Sequence, residues 1–291
     1  MGWKYAIGIE QENRGRRNPF LTYEKVWQGN ELIVDRPFDA DKDDYLRLTQ
    51  TYLEQINANS AFRDISDFFK SVRYLHLVPQ LVRSPSAFGG AGLPDDPYGM
   101  NFLEQISQTN DRTRNSRLSK IERALQKAVP QLKQLQNVKD ERGIPHLEAI
   151  YEHWRSGGAR QREDQFSDGT LRLIGLLWSL LEKDSMLLLE EPELSLNTAI
   201  VKKLAPIIHE LQRSRKQVVL TTHSFELLSD PGISSDEVLL LTPNSEGTSV
   251  KSAANDAEIK LQLEAGMTIA DAVLPRTAPK NVYQLGLELF P

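Results

Sequence analysis

The spacing of apolar residues changes along the chain, from strand-like at the start to helix-like and then to an alternation of both. The runs Tyr5–Ile9 and Leu21–Trp27 are typical of strands. The turn residues Gln28-Gly29-Asn30 then join the second run to Glu31–Val34, which is hairpin chemistry. The chain is therefore predicted to open with a small antiparallel sheet.

The middle of the chain has mostly helical spacing. Apolar residues recur at helical intervals from Lys42 to about Arg73, before a β-like run over Val72–Val78 that Pro79 stops. Gly, Pro, Ser and Asp dominate residues 84–98, which predicts an exposed loop. Helices are predicted near residues 101–109 and 114–137, and the polar residues 138–165, with Arg155–Arg160 among them, are predicted to be a flexible connection.

The last third alternates between helical and strand patterns. Helices are predicted at 170–182, at 198–213 and from 225, and strands at 185–189, 217–221 and 237–241. Such an alternation predicts a mostly parallel sheet. The uninterrupted apolar runs Met186–Leu189 and Val218–Leu220 further predict that both faces of this sheet are covered. Ligands of open α/β sheets bind just past the strand ends, which is where the polar motifs lie.

Composition narrows the class of protein. The 291 residues include 35 basic and 40 acidic side chains, for a net charge of −5, so the total charge favours no general binding to nucleic acid or anionic membranes. Cysteine is absent, which excludes disulfides and thiolate chemistry. The start lacks a signal-peptide pattern and no apolar stretch is long enough to cross a bilayer, so a soluble, cytoplasmic protein is expected.

The run Phe166–Arg172 joins a turn to the start of a predicted helix. Ser167 is suited to cap that helix, and Gly169 allows another group to approach the backbone closely. Free N–H groups at a helix N-terminus bind anions such as phosphate. Taken alone, the same residues are also explained by an ordinary helix cap.

Two predicted strands end in residues with acid–base or metal-binding chemistry. The run Met186–Leu189 leads into Glu190 and Glu191, and carboxylates at the edge of a buried strand cost free energy unless a metal or substrate compensates. Because successive side chains point in different directions, one carboxylate can bind Mg²⁺ while the other polarises a water. The second strand ends in Thr222 and His223. A solvated acidic turn and a structural histidine are the alternatives, but both motifs in one order with short spacings favour an ATPase site.

The loop that usually holds nucleotide phosphates does not occur in these residues. It reads G-x-x-x-x-G-K-[ST], and its backbone N–H groups and its lysine bind the phosphates. None of the 17 glycines is followed by lysine. The sequence therefore predicts half of an ATPase site.

Together these motifs resemble the ABC-type ATPases, in the form found in AAA-like ATPases related to the OLD, RecF and SMC proteins. Phe166–Arg172 is similar to their signature motif and Leu187–Glu193 to their Walker B motif. Leu194–Asn197 is similar to their D-loop, although relatives commonly have Leu-His-Pro where this chain has Leu196-Asn197-Thr198. Thr222-His223 is similar to their switch histidine.

The resemblance implies an α/β, P-loop NTPase-like fold of the ABC ATPase type. Its mostly parallel sheet would lie in residues 166–291, after an antiparallel β arm in residues 1–38 and a helical insertion in residues 39–165. It also implies that the first strand and the Walker A loop of the family would precede this chain.

The resemblance further implies a role for each candidate residue. Glu190 would bind Mg²⁺, Glu191 would polarise the attacking water and His223 would contact the γ-phosphate of ATP. The implied nucleotide-binding residues are Ser167, Asp168, Gly169 and Gln80. The first three would close over ATP bound by a second protomer, and Gln80 is similar to the glutamine of a Q-loop.

Several functions are compatible with this resemblance. The first is an ATPase that dimerises around ATP and acts on DNA or a partner protein, in DNA repair, phage defence or housekeeping. The second is a non-catalytic regulator that completes the ATP site of a complete partner ATPase. A shortened gene product is the third, which an in-frame phosphate-binding loop upstream of Met1 would reveal. No clustered acidic metal site follows His223, so nuclease activity is not expected.

Overall fold

The computed structural model describes residues 2–12, 18–85, 96–153, 157–182, 186–212, 217–245, 247–279 and 284. The chain divides into two compact units, Met1–Val72 and Arg73–Pro291. Residues 86–95 of the predicted loop lie outside the described residues, as do Arg155 and Ser156 of the predicted connection.

The first unit is built on a three-stranded antiparallel sheet. Its strands are β1 (Trp3–Gln11), β2 (Pro19–Gln28) and β3 (Glu31–Arg36), in the order β1-β2-β3. The predicted hairpin is confirmed, because Gln28 pairs with Glu31 across the turn. Gly29 has a φ of 61°, which is why this tight turn needs glycine.

Helices cover one part of this sheet. Helix α1 (Asp39–Asp43) and helix α2 (Arg63–Lys70) follow β3, with 3₁₀ turns at Tyr45–Thr49 and Ser60–Phe62. The helical spacing predicted here is therefore present, but in short pieces. Val26, Val34, Phe62 and Ile65 form the buried core of the unit.

A fully buried ion cluster lies in the same unit. The Arg36 guanidinium contacts Glu24 at 2.7 Å and Asp41 at 3.0 Å, and all three side chains are inaccessible to solvent. Burial alone would raise the pKa of Asp41, but hydrogen bonds from Arg36, the Phe38 N–H and Arg47 outweigh it and lower that pKa. This contribution to stability is therefore complete above the unfolded pKa of about 4 and is lost as the pH falls towards the folded value.

Among the described residues, the second unit contains most of the helices and three further sheets. In chain order its elements are β4 (Val72–Leu75), whose first residue ends the first unit, α3 (Pro79–Arg83), α4 (Phe102–Gln108), α5 (Asp111–Leu125), β5 (Leu132–Lys139), β6 (Pro145–Tyr151), β7 (Ala159–Arg162), α6 (Asp168–Leu180), β8 (Met186–Glu190), α7 (Thr198–Val201), α8 (Leu204–Gln212), β9 (Gln217–Thr221), α9 (Phe225–Leu228), β10 (Leu239–Asn244), β11 (Gly247–Ser252), α10 (Ala257–Glu264) and α11 (Ile269–Thr277).

The unit combines helices with mixed sheets, so the predicted α/β class is confirmed, whereas a single mostly parallel sheet is found only in part. Strands β4, β8 and β9 form one sheet in that order, in which β8 and β9 are parallel. Strand β10 was predicted to belong to it, but β10 pairs antiparallel with β11 in a separate hairpin. The prediction that both sheet faces are covered also fails at β9, where Val219 is 44% exposed.

Strand β5 replaces the second half of a predicted helix. Helix α5 ends at Leu125, and the turn before Pro130 is followed by a strand instead. The strand was missed because Leu132 and Leu135 have helical spacing. A bulge at Gln134, whose φ is 53°, shifts the register and allows both leucines to be buried from one strand.

Strands β6 and β7 correct the prediction of a flexible connection. They pair antiparallel with each other and extend the sheet begun by β5. Leu147 and Ala149 of β6 are fully buried, and Glu148 between them pairs with Arg160 of β7 at 3.0 Å. The polar composition of this region thus reflects side chains that pair across strands.

Helix α6 lies between two hydrophobic clusters. Nine of its 13 residues are buried. Leu171, Ile174 and Trp178 pack in one cluster with α5 and β6, while Leu176 and Leu180 pack in the other with β8 and α8. A helix that is apolar on nearly all sides must be enclosed, which explains its central position.

The ion cluster of the first unit provides a stability test. Arg36→Met leaves Glu24 and Asp41 buried without this cation, and we expect the unfolding free energy of the first unit to fall by about 3–5 kcal/mol. The measurement is amide hydrogen exchange in β2 and β3.

Lys25→Met is the matched control, because the Lys25–Asp35 pair lies on the same two strands but is 37% and 50% exposed. Its loss should cost about 1 kcal/mol or less. Equal effects of the two substitutions would contradict the importance of the buried cluster.

Candidate functional site

The carboxyl ends of β8 and β9 bring the two predicted chemical motifs together. Glu190 lies opposite Thr221 in the parallel register. The N–H of Glu191 donates to the backbone oxygen of Thr221 at 3.0 Å, which joins the turn after β8 to the turn after β9. Glu190 and Glu191 therefore lie at the same sheet edge as His223.

Glu190 contacts a residue of the neighbouring strand β4 and a residue just after it. The hydroxyl of Tyr74 donates to its carboxylate, and Nδ1 of His76 lies 3.4 Å from its backbone oxygen. The hydrogen bond to Glu190, together with burial and the carboxylate charge, raises the pKa of Tyr74 to about 12. Tyr74 therefore keeps its proton and remains a donor at neutral pH.

Sequence reasoning missed both of these residues. It assigned no role to either Tyr74 or His76. The signal that was available is their two-residue spacing in a β-like run, which points both side chains to one face. It carries no information about which strand lies alongside, so Glu190 could not be identified as the partner.

Glu191 has a backbone conformation that non-glycine residues rarely adopt. Its φ is 41°, in the left-handed region, at a cost of order 1–3 kcal/mol. The hydrogen bond from its N–H to Thr221 holds the backbone in this conformation. The carboxylate is thereby directed by the turn and does not continue the alternation of β8.

Arg172 on α6 is a cation close to this edge that was not predicted as a site residue. Burial lowers the pKa of Arg172, while the negative charges of Asp168 and Glu191 act in the opposite direction. Its Nε is buried and has no hydrogen-bond partner among the described residues. Arg172 therefore links the electrostatics of the helix start to those of Glu191.

His223 lies between β9 and α9, with its side chain exposed. Ser224 caps α9 by accepting a hydrogen bond from the N–H of Leu227 at 3.2 Å. Within the described part of the chain, the imidazole of His223 has no hydrogen-bond partner. It is available to a ligand at the sheet edge.

The start of α6 is capped as predicted. Ser167 is the N-cap residue, and its Oγ accepts from the N–H of Thr170 at 3.1 Å. Within this chain, glycine is needed at position 169 because a Cβ there would lie 2.5 Å from the backbone oxygen of Ser195. The group that approaches Gly169 is thus the predicted D-loop of the same chain.

Asp168 is held by residues of α3. The Arg83 guanidinium contacts its carboxylate at 2.6 Å and also donates to the backbone oxygen of Phe166 at 2.7 Å. Gln80 donates to the other carboxylate oxygen at 3.4 Å. Gln80 therefore lies beside the predicted signature turn, and Arg83 is a further residue that sequence reasoning missed.

The predicted residues thus form two groups within the second unit. Glu190, Glu191 and His223 meet at the strand ends. The second group lies at the start of α6 and comprises Ser167, Asp168, Gly169 and Gln80. No group of three or more acidic, histidine or cysteine side chains suited to hold a metal ion occurs among the described residues.

The contact between Arg83 and Asp168 predicts a local effect. Arg83→Ala removes one ion pair and one hydrogen bond that hold the turn before α6. Amide exchange at residues 167–170 should therefore accelerate about threefold to tenfold, the equivalent of roughly 1 kcal/mol. Mass spectrometry of the exchanged peptides measures this. Arg123→Ala, at an exposed position on α5, is the control; unchanged exchange at 167–170 in Arg83→Ala would contradict the prediction.

Comparison with known structures finds SMC head domains at low identity. The chain is 12% identical to the SMC head domain from Thermotoga maritima, with a TM-score of 0.38 over 87% of this chain and 74% of that chain. An SMC head bound to the C-winged helix domain of ScpA gives 13% identity and a TM-score of 0.43, over 87% and 71%. For an Smc head with coiled coil from Pyrococcus yayanosii the values are 17% and 0.39, over 58% of this chain and only 32% of that chain.

A comparison with curated proteins finds no match. No described helix is long and apolar enough to cross a membrane.

The family model described as "AAA domain, putative AbiEii toxin, Type IV TA system" matches residues 2–229. Since this match covers most of the 291 residues, the chain belongs to this family of AAA domains.

Proposed function

We propose that this chain is the Walker B, signature and switch-histidine part of an ATPase. Membership of the AAA family supports ATP hydrolysis as the reaction. The observation that carries the proposal is the parallel register of β8 and β9, which joins Glu191 to Thr221 and brings two carboxylates and His223 to one edge. Phosphoryl transfer to water needs a polarising carboxylate and positive or donor groups around the γ-phosphate.

Each residue at this edge has a proposed role. Glu191 accepts a proton from the attacking water, in a direction fixed by its left-handed backbone. His223 donates a hydrogen bond to the γ-phosphate of ATP from its exposed position. Arg172 brings a positive charge close to Glu191.

Magnesium is the metal that this reaction implies. Mg²⁺ with ATP is usually held by one or two carboxylates together with phosphate oxygens and waters, so the single carboxylate of Glu190 fits this requirement. When bound, the ion would neutralise phosphate charge. Tyr74 donates a hydrogen bond to one oxygen of the Glu190 carboxylate and so orients this carboxylate for binding Mg²⁺.

The second group of residues suits a partner's nucleotide. Ser167 and Gly169 lie at the N-terminus of α6, which favours an anion. Asp168 is neutralised by Arg83, which reduces its repulsion of phosphate. We propose that this turn closes over ATP held by a second copy of the chain or by a complete partner ATPase. The resulting dimer would act on DNA or on a partner protein.

A second candidate function is that of a non-catalytic regulator. The specific observation in its favour is that these 291 residues contain no phosphate-binding loop. A phosphate-binding loop would therefore be supplied by residues other than these 291 when ATP is bound. In this case the turn at Ser167–Gly169 would act on a partner's ATP.

Glu191→Gln tests the catalytic proposal. The protein is purified from native cells together with its bound partners, and ATP turnover is measured with and without DNA. We expect turnover to fall about 10²- to 10⁴-fold, because the glutamine amide cannot accept the proton of the attacking water. Phosphate release measures this. Glu264→Gln, an exposed acid on α10, is the control; turnover that survives Glu191→Gln would contradict the assigned role.

The regulator is distinguished by a second substitution. If the chain alone is inactive but stimulates a partner's hydrolysis, Ser167→Arg should abolish that stimulation by obstructing the turn, while Glu191→Gln should leave it unchanged. Loss of stimulation with Glu191→Gln would support the catalytic role.

A further inference from the structure

We infer that Glu193 is a positioning residue for His223 and acts through Thr222. Glu193 is the last residue of the Glu190–Glu193 run and was assigned no role of its own. The inference deepens the proposed function, because it rests on His223 as the group that contacts the γ-phosphate.

A chain of hydrogen bonds connects the turn after β8 to the turn after β9. The Thr222 hydroxyl donates to the Glu193 carboxylate, and Oγ1 of Thr222 accepts from the N–H of Ser224 at 2.9 Å. Ser224 in turn caps α9. His223 is the residue enclosed between Thr222 and Ser224, so both of its peptide neighbours are held.

The hydroxyl of Thr222 makes this connection directional. A hydroxyl has one proton and two lone pairs, so donation to Glu193 leaves its lone pairs for the N–H of Ser224. An ionised acceptor gives the stronger hydrogen bond of this kind. With no acceptor at position 193, the hydroxyl can rotate and compete for other partners.

Glu193 itself is held in place by its own turn. Its backbone oxygen accepts from the N–H of Leu196 at 3.0 Å, and the N–H of Leu194 donates to Glu191 at 3.1 Å. The second carboxylate oxygen, Oε2, is buried and has no hydrogen-bond partner among the described residues. A buried carboxylate oxygen without a partner is costly, so the hydrogen bond from Thr222 to the other oxygen is needed to hold Glu193 in this position.

His223 depends on this support because its side chain makes no hydrogen bond to a described residue. The backbone of residues 222–224 therefore determines from where this side chain projects. A displacement of about 1 Å at a reacting group can cost about a hundredfold in rate. Glu193 and Thr222 therefore control the reaction without contacting the substrate.

The first experiment needs no nucleotide. NMR of protein with ¹³C-labelled histidine compares wild type with Glu193→Ala and Thr222→Val, and His223→Ala identifies the resonance of His223. We expect this resonance to shift or broaden in both variants, and to stay near its wild-type position in Glu193→Gln and Thr222→Ser, which keep an acceptor and a hydroxyl. His76, His146, His153 and His209 serve as internal controls of folding.

The result that overturns the inference is a His223 resonance that does not change in Glu193→Ala and Thr222→Val while both variants are folded. The near-isosteric Thr222→Val keeps the test decisive if Glu193→Ala does not fold. A change in all five histidine resonances would also overturn it, because the effect would then be general.

The second experiment measures turnover in the complex used above. Glu193→Ala should lower kcat about tenfold to a hundredfold with KM unchanged, and should add nothing in a His223→Ala background. Losses that multiply would overturn the inference, because Glu193 would then act independently of His223. Unchanged turnover in His223→Ala would overturn the proposed function instead, while NMR decides the positioning separately.

Discussion

The enclosure of α6 between two hydrophobic clusters is the constraint on which the site depends. A buried leucine contributes about 1.5–3 kcal/mol, and this helix buries several on opposite sides. It cannot rotate or slide without exposing one of them. The fit is close, since a Cβ at Gly175 would lie 2.3 Å from the side chain of Leu77. Because the helix is fixed, its capped start and the cation of Arg172 are fixed relative to β8.

The second requirement is the parallel pairing of β8 with β9. Parallel strands end at the same edge, and the residues after them differ in chemistry: carboxylates after one, Thr222 and His223 after the other. Tyr74 of β4 donates a hydrogen bond to Glu190, while the α3 side chains Gln80 and Arg83 contact Asp168 at the start of α6. The site is therefore assembled from the ends of regular elements, and its precision derives from how these elements pack.

Local features of the site could be predicted from the sequence, whereas its partners could not. The Ser167 cap and the strands that end at Glu190 and Thr221 follow from nearby residues alone. Tyr74 is 116 residues from Glu190, and Arg83 is 85 residues from Asp168, so only the fold reveals these contacts. Likewise, the spacing of Leu132 and Leu135 predicts a helix, but a bulge at Gln134 allows both leucines to be buried from the strand β5. The ATPase roles of these residues remain predictions.

The backbone of Glu191 has a consequence for how this chain can vary. Glycine would relieve the left-handed conformation and stabilise the turn, yet it would remove the carboxylate. Stability and the proposed chemistry thus have opposite preferences at this position. A copy of the chain released from the need for hydrolysis would be expected to drift towards glycine or asparagine at 191. Glutamate is the costlier choice for folding at this position, so its presence there calls for a benefit other than stability.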